Sequence, residues 1–541
     1  MDLSAEYFEF LAARFPAMCA SDEFHFLPRV AAARRYYDKL ENLDYGAIAE
    51  CIEILKEFRR KFNRQALDET ELEESIDLQI LKASAGAVLF ELENTRSWRH
   101  DPLFYLKIAF IGLDHSLAKP AENDKERSQR VKSRLHAIPG LFRQAVVNLA
   151  GVPKIYYVPA LRMADDCLNY LDSIGSQQSA SGHNVFVSGL CDAKSALQSF
   201  RGFLLSLAPV QDSEFVVPNI GTILKDRFLS DRTLSEVLEI ALEEWHENLE
   251  ALEDLQRRMN PSKSWKELYH DYLPADAEGL DTLDLYRRET ERLGSFFRTH
   301  GFPAIDLLHL PLISETPVYL QSVRSSASFC AAFSGDNLER DIFYISTRLP
   351  SRRARKSEEL LRRRLHREYR FLAAHETIPG HFLLDSTRRN LENPARAQIE
   401  SPLFYEGWAY YAESLLIESG YCDNQIELLV DYKRRLWRAA RCRIEIGTAT
   451  GELSFVDATA LLTQSGFSTE EAANQVNRFR INPGYQLCYT LGRFEIMRLR
   501  KMYAPKIGLE KFHSFVLEGG ELPFHLIEKR LAVLCSTQHH R

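Results

Sequence analysis

The residues best suited to chemistry are two histidines and a glutamate in the run His-Glu-Thr-Ile-Pro-Gly-His, residues 375–381. Zinc hydrolases hold their metal with two imidazoles, and a neighbouring carboxylate takes a proton from the water that the metal activates. The pattern therefore predicts that His375 and His381 bind a metal and that Glu376 acts as the general base. Two ordinary histidines give the same pattern, so a third ligand is needed to decide.

The spacing of the two histidines is unusual for a helix. Residues four apart are separated by about 400° and share one face, whereas residues six apart are separated by about 600° and do not. Pro379 removes a helix hydrogen bond, and Gly380 permits unusual backbone angles. We expect the helix to bulge at these two residues and to bring His381 back toward the metal.

A third ligand is available in the segment 404–413, where Glu406 lies 25 residues beyond His381. This separation allows a helix, a turn and a returning helix. Glu406, Tyr410 and Glu413 share one helix face. Glu406 suits zinc peptidases whose third ligand is a glutamate. Glu413 either orients a ligand imidazole or is a buried glutamate paired with an arginine.

Amphipathic helices must position these side chains, because apolar residues recur at three- and four-residue steps through most of the chain. The fold class is therefore mainly α. The helical periodicity covers residues 48–62, 72–92, 128–149 with a break at Pro139, 193–207, 234–259, 280–300 and 425–447. Helix N-termini are indicated by the pairs Asp68 with Glu71, Thr233 with Glu236 and Ser468 with Glu471.

Residues 301–347 are the exception to this helical pattern, because three prolines interrupt them. Residues 318–320 and 342–347 are typical of short strands, which predicts a small sheet beside the helical body. Residues 175–183 are rich in Ser, Gly and Gln and are the best candidate for a loop or lid.

Composition excludes several classes of protein. The chain has 541 residues, a net charge of −8, and 45% hydrophobic and 27% charged residues, which is near the globular average. The chain has no run of roughly 18 apolar residues, which is the length that a membrane span needs. The nine cysteines never form a C-x-x-C pair and are interpreted as buried thiols in a reducing compartment. The first residues lack the features of a secretory signal, so we predict a cytoplasmic location.

An arginine-rich segment offers a different function. Ten basic residues lie between positions 348 and 370, against three glutamates. The segment is a solvated helix face, a surface that steers an anionic substrate, or a nucleic-acid site. Because the whole chain is acidic, we predict no nucleic-acid partner, and because it has no apolar run long enough for a membrane span, we predict no membrane partner.

The sequence resembles the domain-of-unknown-function 885 family, which is regarded as zinc metallopeptidase-like. The family signature His-Glu-x-x-Pro-Gly-His is present at 375–381, and Glu-Gly-Trp-Ala-x-Tyr-x-Glu follows at 406–413. Further similar segments are 441–447, 478–479, 483–489, 512–513 and 520–523, and weaker similarity extends over most of the remaining chain.

The resemblance implies a helical fold with a deep central cleft, similar in outline to thimet oligopeptidase and angiotensin-converting enzyme. It also implies that zinc binds His375, His381 and Glu406. Tyr489, with Tyr485, would donate a hydrogen bond to the oxyanion. Arg441 and Arg478 would bind a substrate carboxylate, or instead form structural salt bridges.

The sequence departs from the family pattern at five positions near the motifs: Phe382, Leu384, Glu445, Ala449 and Tyr485. Metal binding and water activation should survive these changes, whereas the groups that contact substrate are put in doubt. The leading hypothesis is a zinc-dependent hydrolase of peptide or small amide bonds. The alternative is a non-catalytic or specialised biosynthetic member that keeps the fold and the cleft.

The positions of the motifs favour one catalytic unit over the whole chain, 1–541, because ligands and substrate groups must converge on one cleft. Within it we distinguish a mainly helical N-terminal part, residues 1–300, from a part that carries the metal and substrate sites, residues 301–541. The oligomeric state, the substrate and the direction of cleavage do not follow from the sequence.

Overall fold

The computed structural model describes residues 2–69, 71–180, 186–211, 219–332, 339–347 and 355–538. The protein is 72% helical with one small sheet, which confirms the mainly α fold class. The deep cleft and the division at residue 300 stay predictions.

The N-terminal helices pack against one another, for example α2 against α3 and α6 against α8. Their bounds are α1 Leu3–Arg14, α2 Tyr45–Asp68, α3 Leu72–Phe90, α4 Ser97–His100, α5 Pro102–Ala118, α6 Asp124–Asn148, α7 Lys154–Ala180 and α8 Val187–Ser206.

Three local predictions in this region are wrong. Helix α6 runs through Pro139 without a break, because apolar residues on both sides of the proline are buried and hold the helix in place. Helix α7 continues to Ala180, so the expected loop is helical up to that residue, and residues 181–183 lie outside the described residues. Asp68 ends α2 instead of capping α3, whose N-cap residue is Glu71.

The middle of the chain contains four helices and the sheet. The helices are α9 Ile220–Thr222, α10 Leu234–Met259, α11 Trp265–Asp271 and α12 Thr282–Thr299. The hydrogen bonds of the predicted N-cap pair Thr233 and Glu236 are both present at the start of α10. Short 3-10 or π segments occupy Ala31–Tyr36, Glu91–Thr95, Ile223–Arg227, Ala275–Ala277, Leu307–His309 and Val318–Leu320.

The sheet has three strands in the order β1-β3-β2, with β1 Leu312–Glu315, β2 Ala327–Cys330 and β3 Ile342–Ile345. β1 pairs with β3 in parallel, and β2 pairs with β3 antiparallel. The predicted strand at 342–347 is confirmed for its first four residues. The predicted strand at 318–320 is wrong, because Pro317 begins a single 3-10 turn there.

The C-terminal region is again helical. Its helices are α13 Arg355–Arg367, α14 Tyr369–Glu376, α15 His381–Arg388, α16 Pro394–Gln398, α17 Pro402–Glu418, α18 Gln425–Thr450, α19 Phe455–Gln464, α20 Thr469–Phe479, α21 Leu487–Ile507, α22 Leu509–Leu517 and α23 Phe524–Gln538. The predicted capping pair Ser468 and Glu471 is present at the start of α20.

Two helices of this region approach each other unusually closely. Helix α17 packs along α21, and a side chain at Gly407 would overlap the backbone of Gly492. The absence of both side chains lets the two backbones come into contact. This contact fixes Glu406 on α17 relative to the first turn of α21.

A residue near the N-terminus also contacts the region of the metal group. The guanidinium of Arg29 forms ion pairs with Asp385 on α15 and with Glu400. These three side chains are largely buried, so the N-terminal region is part of the support of α15. None of the helices in the described residues is long and apolar enough to cross a membrane.

Candidate metal centre

The structure brings His375, His381 and Glu406 together from three helices. His375 lies in the last turn of α14, His381 begins α15, and Glu406 lies in the first turns of α17. One ligand atom from each residue lies within 4.8 Å of the other two. All three side chains are buried.

The chain between the two histidines differs from the expected bulge. Helix α14 ends at Glu376, and a new helix begins at His381 after four non-helical residues. The Gly380 N–H donates to the carbonyl oxygen of Ala374 at 2.9 Å, which folds the connection back onto the end of α14. The two imidazoles therefore meet because the helix stops and restarts, with ring centroids 4.8 Å apart.

Two residues hold this connection in place. A side chain at Gly380 would overlap the carbonyl oxygens of Ala374 and His375, so only glycine fits there. The indole N–H of Trp408, on α17, donates to the Pro379 carbonyl oxygen at 2.9 Å. Trp408 thereby ties the helix that carries Glu406 to the loop that carries His381.

Replacing Trp408 with phenylalanine should lower the free energy of unfolding by about 1–3 kcal/mol, because the Pro379 carbonyl loses its donor. Urea denaturation measures this change. The matched control is Trp437→Phe, which removes a 2.8 Å hydrogen bond to Gln475 from a half-buried indole and should cost less. Equal losses in the two variants would contradict a special role for Trp408.

The three residues fit a zinc ion. Two ligand atoms bound to one tetrahedral zinc at about 2.1 Å lie roughly 3.4 Å apart. Glu406 Oε2 lies 3.3 Å from His375 Nε2 and 3.6 Å from His381 Nε2. This carboxylate oxygen is buried and accepts no hydrogen bond from the described residues. A buried, unsatisfied carboxylate oxygen facing two imidazole nitrogens is a donor set suited to a divalent cation.

The charges at the site depend on burial and on close neighbours. Burial acts to raise the pKa of the Glu406 carboxyl, but the imidazoles of His375 and His381 outweigh it and hold that pKa well below its ordinary value. Burial raises the pKa of Glu376, although His375 and His381 oppose the increase. Glu406 is therefore held as a ligand anion, while Glu376 is shifted toward the range of a general base.

Glu413 contacts His375. Its Oε1 lies 2.9 Å from His375 Nδ1, which leaves Nε2 directed at Glu406. Glu413 also accepts hydrogen bonds from Arg434 at 2.8 Å and from Arg438. Glu413 therefore makes both contacts that the sequence left open, one with the imidazole and one with arginines, and a role in orienting a metal ligand stays a prediction.

Tyr489 and Tyr485, the predicted oxyanion donors, both contact Glu406. The Tyr489 hydroxyl donates to Glu406 Oε1 at 2.8 Å, and the Tyr485 hydroxyl donates to the same oxygen. Burial raises the pKa of both phenols, so both stay protonated donors. In this arrangement they hold the oxygen of Glu406 that faces away from the histidines, and a role at the oxyanion stays a prediction.

Of the two predicted substrate arginines, Arg441 contacts Tyr489, and Arg478 precedes Phe479, whose ring centre is 5.3 Å from the Arg441 guanidinium. The Arg441 guanidinium is 4.0 Å from the centre of the Tyr489 ring and donates from Nε to Gln486 at 2.9 Å. The Arg478 side chain is exposed to solvent, yet the surrounding protein and the nearby Arg441 lower its pKa to about 10.

Glu445 fixes the loop that carries Tyr485. Its carboxylate accepts hydrogen bonds from the backbone N–H groups of Gly484 and of Leu487, the latter at 2.9 Å. Burial raises the pKa of Glu445 to about 7 despite these bonds. Glu445, one of the five residues that differ from the family pattern, thus supports this loop.

Three other residues that differ from the family pattern are not among the candidate metal ligands. Phe382 and Leu384 are buried, and the Phe382 ring packs against Phe329. Ala449 is exposed near the end of α18. Phe382 and Leu384 therefore belong to the core, and the argument that they alter substrate contacts loses its basis.

Sequence reasoning missed several neighbours of the site. The Tyr405 ring stacks on His381 at 3.8 Å, and its hydroxyl donates to Asp385 at 3.1 Å. His25 packs against Tyr485, with ring centroids 4.7 Å apart. Tyr405 is adjacent to the motif glutamate and could have been noted, whereas nothing in the sequence connects His25 with residues more than 350 positions away.

The arginine-rich segment is only partly described. Arg348, Arg352 and Arg353 lie outside the described residues. Arg364 donates to Ser326 at 3.1 Å, and Arg367 donates to the carbonyl oxygen of Tyr272 at 3.1 Å. The second half of the segment is thus built into the fold at these two residues.

Comparisons with known proteins agree with this fold. A family model described as "Bacterial protein of unknown function (DUF885)" matches residues 28–531. A "putative lipoprotein of unknown function" from Shewanella oneidensis is similar in structure, with 18% identity, a TM-score of 0.74 and coverage of 98% of this chain and 99% of that one.

A second solved structure, a "putative lipoprotein" from Colwellia psychrerythraea, is 15% identical, with a TM-score of 0.76 and coverage of 99% and 100%. At these identities the similarity concerns the fold alone. No curated protein matches the chain.

Proposed function

The chain belongs to the DUF885 family, and from this membership and the geometry of the site we propose that it is a zinc-dependent hydrolase of peptide or small amide bonds. The observation that carries the proposal is the buried group His375, His381 and Glu406, with the unsatisfied Glu406 Oε2 at its centre and Glu376 beside it.

Each residue of the group has a role in hydrolysis. When bound, the metal polarises the scissile carbonyl and makes water more acidic. Glu376 accepts a proton from the attacking water and returns it to the nitrogen of the leaving amine as the C–N bond breaks. Glu413 holds His375 in the tautomer that presents Nε2.

The two phenols complete the proposal. Tyr485 and Tyr489 hold Glu406 through Oε1, which leaves Oε2 for the cation. We further propose that Tyr489 moves its hydrogen bond to the developing oxyanion when substrate binds. Arg441 and Arg478 are the proposed substrate-binding groups.

Metal analysis together with digestion of a peptide mixture tests the proposal. The purified protein should contain about one zinc ion per chain, and mass spectrometry should detect cleaved products. Chelation should stop the cleavage, and added zinc should restore it. His375→Ala, His381→Ala and Glu406→Ala should each lose the metal, because three protein ligands are needed for tight binding.

A histidine outside the group serves as the control. His270, which contacts the Gly466 carbonyl oxygen at 3.3 Å, can be replaced by alanine and should keep the metal. Another metal at full occupancy would correct the identity of the cofactor. Protein that cannot be loaded with any divalent metal would overturn the enzymatic proposal, and loaded protein without hydrolysis would favour the non-catalytic alternative.

The location and partners follow from separate observations. All nine cysteines are free thiols, but the prediction that all are buried is wrong, because Cys191 is exposed and Cys330 and Cys535 are half-buried. The free thiols support our proposal of a cytoplasmic enzyme in a reducing compartment. We also propose that it has no nucleic-acid or membrane partner. The two similar structures carry the description of lipoproteins, which favours the cell envelope instead. Fractionation of cells that produce the full-length protein distinguishes the two locations.

A further inference from the structure

Three arginines beside the metal group have no carboxylate partner. Arg364, Arg441 and Arg478 form no ion pair with any carboxylate in the part of the chain that the structure describes. Arg364 contacts Ser326, and Arg441 contacts the side-chain amide of Gln486. None of the three guanidinium groups therefore has a carboxylate at ion-pair distance among the described residues, although Glu445 is near enough to Arg441 to interact with its charge.

Arg441 differs from the other buried arginines of the described residues. Each of the others contacts a carboxylate or a backbone carbonyl oxygen, as Arg29, Arg134, Arg367, Arg388, Arg396, Arg434 and Arg438 show. Arg441 instead contacts the neutral Gln486 amide and the rings of Tyr489, Trp437 and Phe479. A buried guanidinium of this kind retains most of its capacity for an anionic ligand.

The three arginines are close enough to act together. The Arg441 guanidinium lies 5.3 Å from the ring centre of Phe479, the residue that follows Arg478. The surrounding protein and repulsion from Arg441 and Arg364 lower the pKa of Arg478 to about 10. Arg478 is exposed and Arg364 is half-buried, so the cluster opens to solvent on one side and reaches Arg441 on the other. An anion can thus enter from solvent and reach the buried guanidinium.

A single side chain, that of Tyr489, lies between Arg441 and the metal group. The Tyr489 ring lies 4.0 Å from Arg441 Cζ at its face, while its hydroxyl is 2.8 Å from Glu406 Oε1. One amino-acid residue spans about 3.8 Å between consecutive Cα atoms. A carboxylate held by Arg441 would therefore belong to the first or second residue after a carbonyl at the metal.

We propose that the substrate is a peptide with a free C-terminal carboxylate and that Arg441, with Arg478 and Arg364, binds this carboxylate one or two residues after the scissile bond. The proposal rests on the hydrolytic function proposed above. It makes the protein an exopeptidase that releases short C-terminal fragments, because a longer fragment would place its carboxylate beyond the cluster.

Three acetylated peptides test the proposal: one with a free C-terminus, the same sequence with a C-terminal amide, and that amide with its last residue replaced by glutamate. The zinc-loaded protein should cleave the free acid with a kcat/KM about 100-fold above that of the plain amide, since the amide leaves the guanidinium unpaired. Equal cleavage of acid and plain amide would overturn the proposal. Efficient cleavage of the glutamate amide would assign the carboxylate to a side chain and would overturn the terminal-carboxylate assignment.

Arginine variants then locate the carboxylate. Arg441→Gln and Arg478→Gln should each reduce the acid-over-amide ratio at least tenfold, chiefly through KM, and Arg364→Gln should reduce it less. The matched control is Arg362→Gln, two residues from Arg364 on α13, where the exposed guanidinium pairs with Glu359. A merely structural arginine would lower cleavage of acid and amide alike, which would count against the proposal.

If none of the peptides is cleaved, the hydrolytic function fails, and a binding measurement decides the carboxylate site by itself. Calorimetry compares N-acetylphenylalanine with its amide on the zinc-loaded protein. At least tenfold tighter binding of the acid, lost in Arg441→Gln, supports the site. Equal binding of the two compounds overturns it.

Discussion

Replacing Glu376 with glutamine should lower kcat by about 10²–10⁴-fold while the protein keeps its full metal content. Glu376 ends α14 directly after the ligand His375, and it is buried. Glutamine has the same shape but cannot accept the proton of the attacking water. The three metal ligands are unchanged in this variant. The lower kcat would therefore reflect the loss of proton transfer.

Steady-state kinetics and metal analysis on the same preparation measure this effect. Glu376→Asp is the informative control, because a shorter carboxylate keeps the base at a less favourable distance and should retain part of the rate. Wild-type turnover by Glu376→Gln would exclude Glu376 as the base. Loss of the metal in that variant would mean that Glu376 is a ligand.

Replacing Glu413 with alanine should destabilise the protein by about 3–5 kcal/mol, because Arg438 is left as a buried charge without a carboxylate. The same change should weaken metal binding roughly 10–100-fold, since His375 loses the group that orients it. Arg434 is affected less because it also pairs with Glu368. Denaturation and competition with a chelator measure the two effects separately.

A second buried ion pair provides the comparison for Glu413. Glu427 is buried and pairs with Arg370, and it does not contact the metal group. Glu427→Ala should therefore lower stability but leave the metal affinity of the folded protein unchanged. If both variants weaken metal binding equally, the contact between Glu413 and His375 has no specific role.

The helices were the most predictable part of the fold. The apolar period and the capping pair Thr233 and Glu236 predict α10 at 234–259, and the structure has Leu234–Met259. Periodicity is a local property, so a single sequence carries it. Strand β2 was missed, because its four residues gain their partners only from β3.

The candidate site was predictable where it depends on residue type and order. His375, His381, Glu406 and Glu413 follow from short motifs, and the structure brings all four together. The path between the histidines was not predictable in detail, because one of the hydrogen bonds that hold it comes from Trp408 on another helix. The place of Gln486 beside Arg441 likewise depends on the packing of α21 against α18.

The pairing of Arg29 with Asp385 has a consequence for synthesis of the protein. The two residues are 356 positions apart, so at about 5–20 residues per second a ribosome needs roughly 20–70 s to supply the partner of Arg29. Throughout this time an N-terminal segment that later packs near the metal group is exposed in the nascent chain. We therefore expect that chaperones bind this segment during translation and that the metal is loaded only after the C-terminal third has left the ribosome.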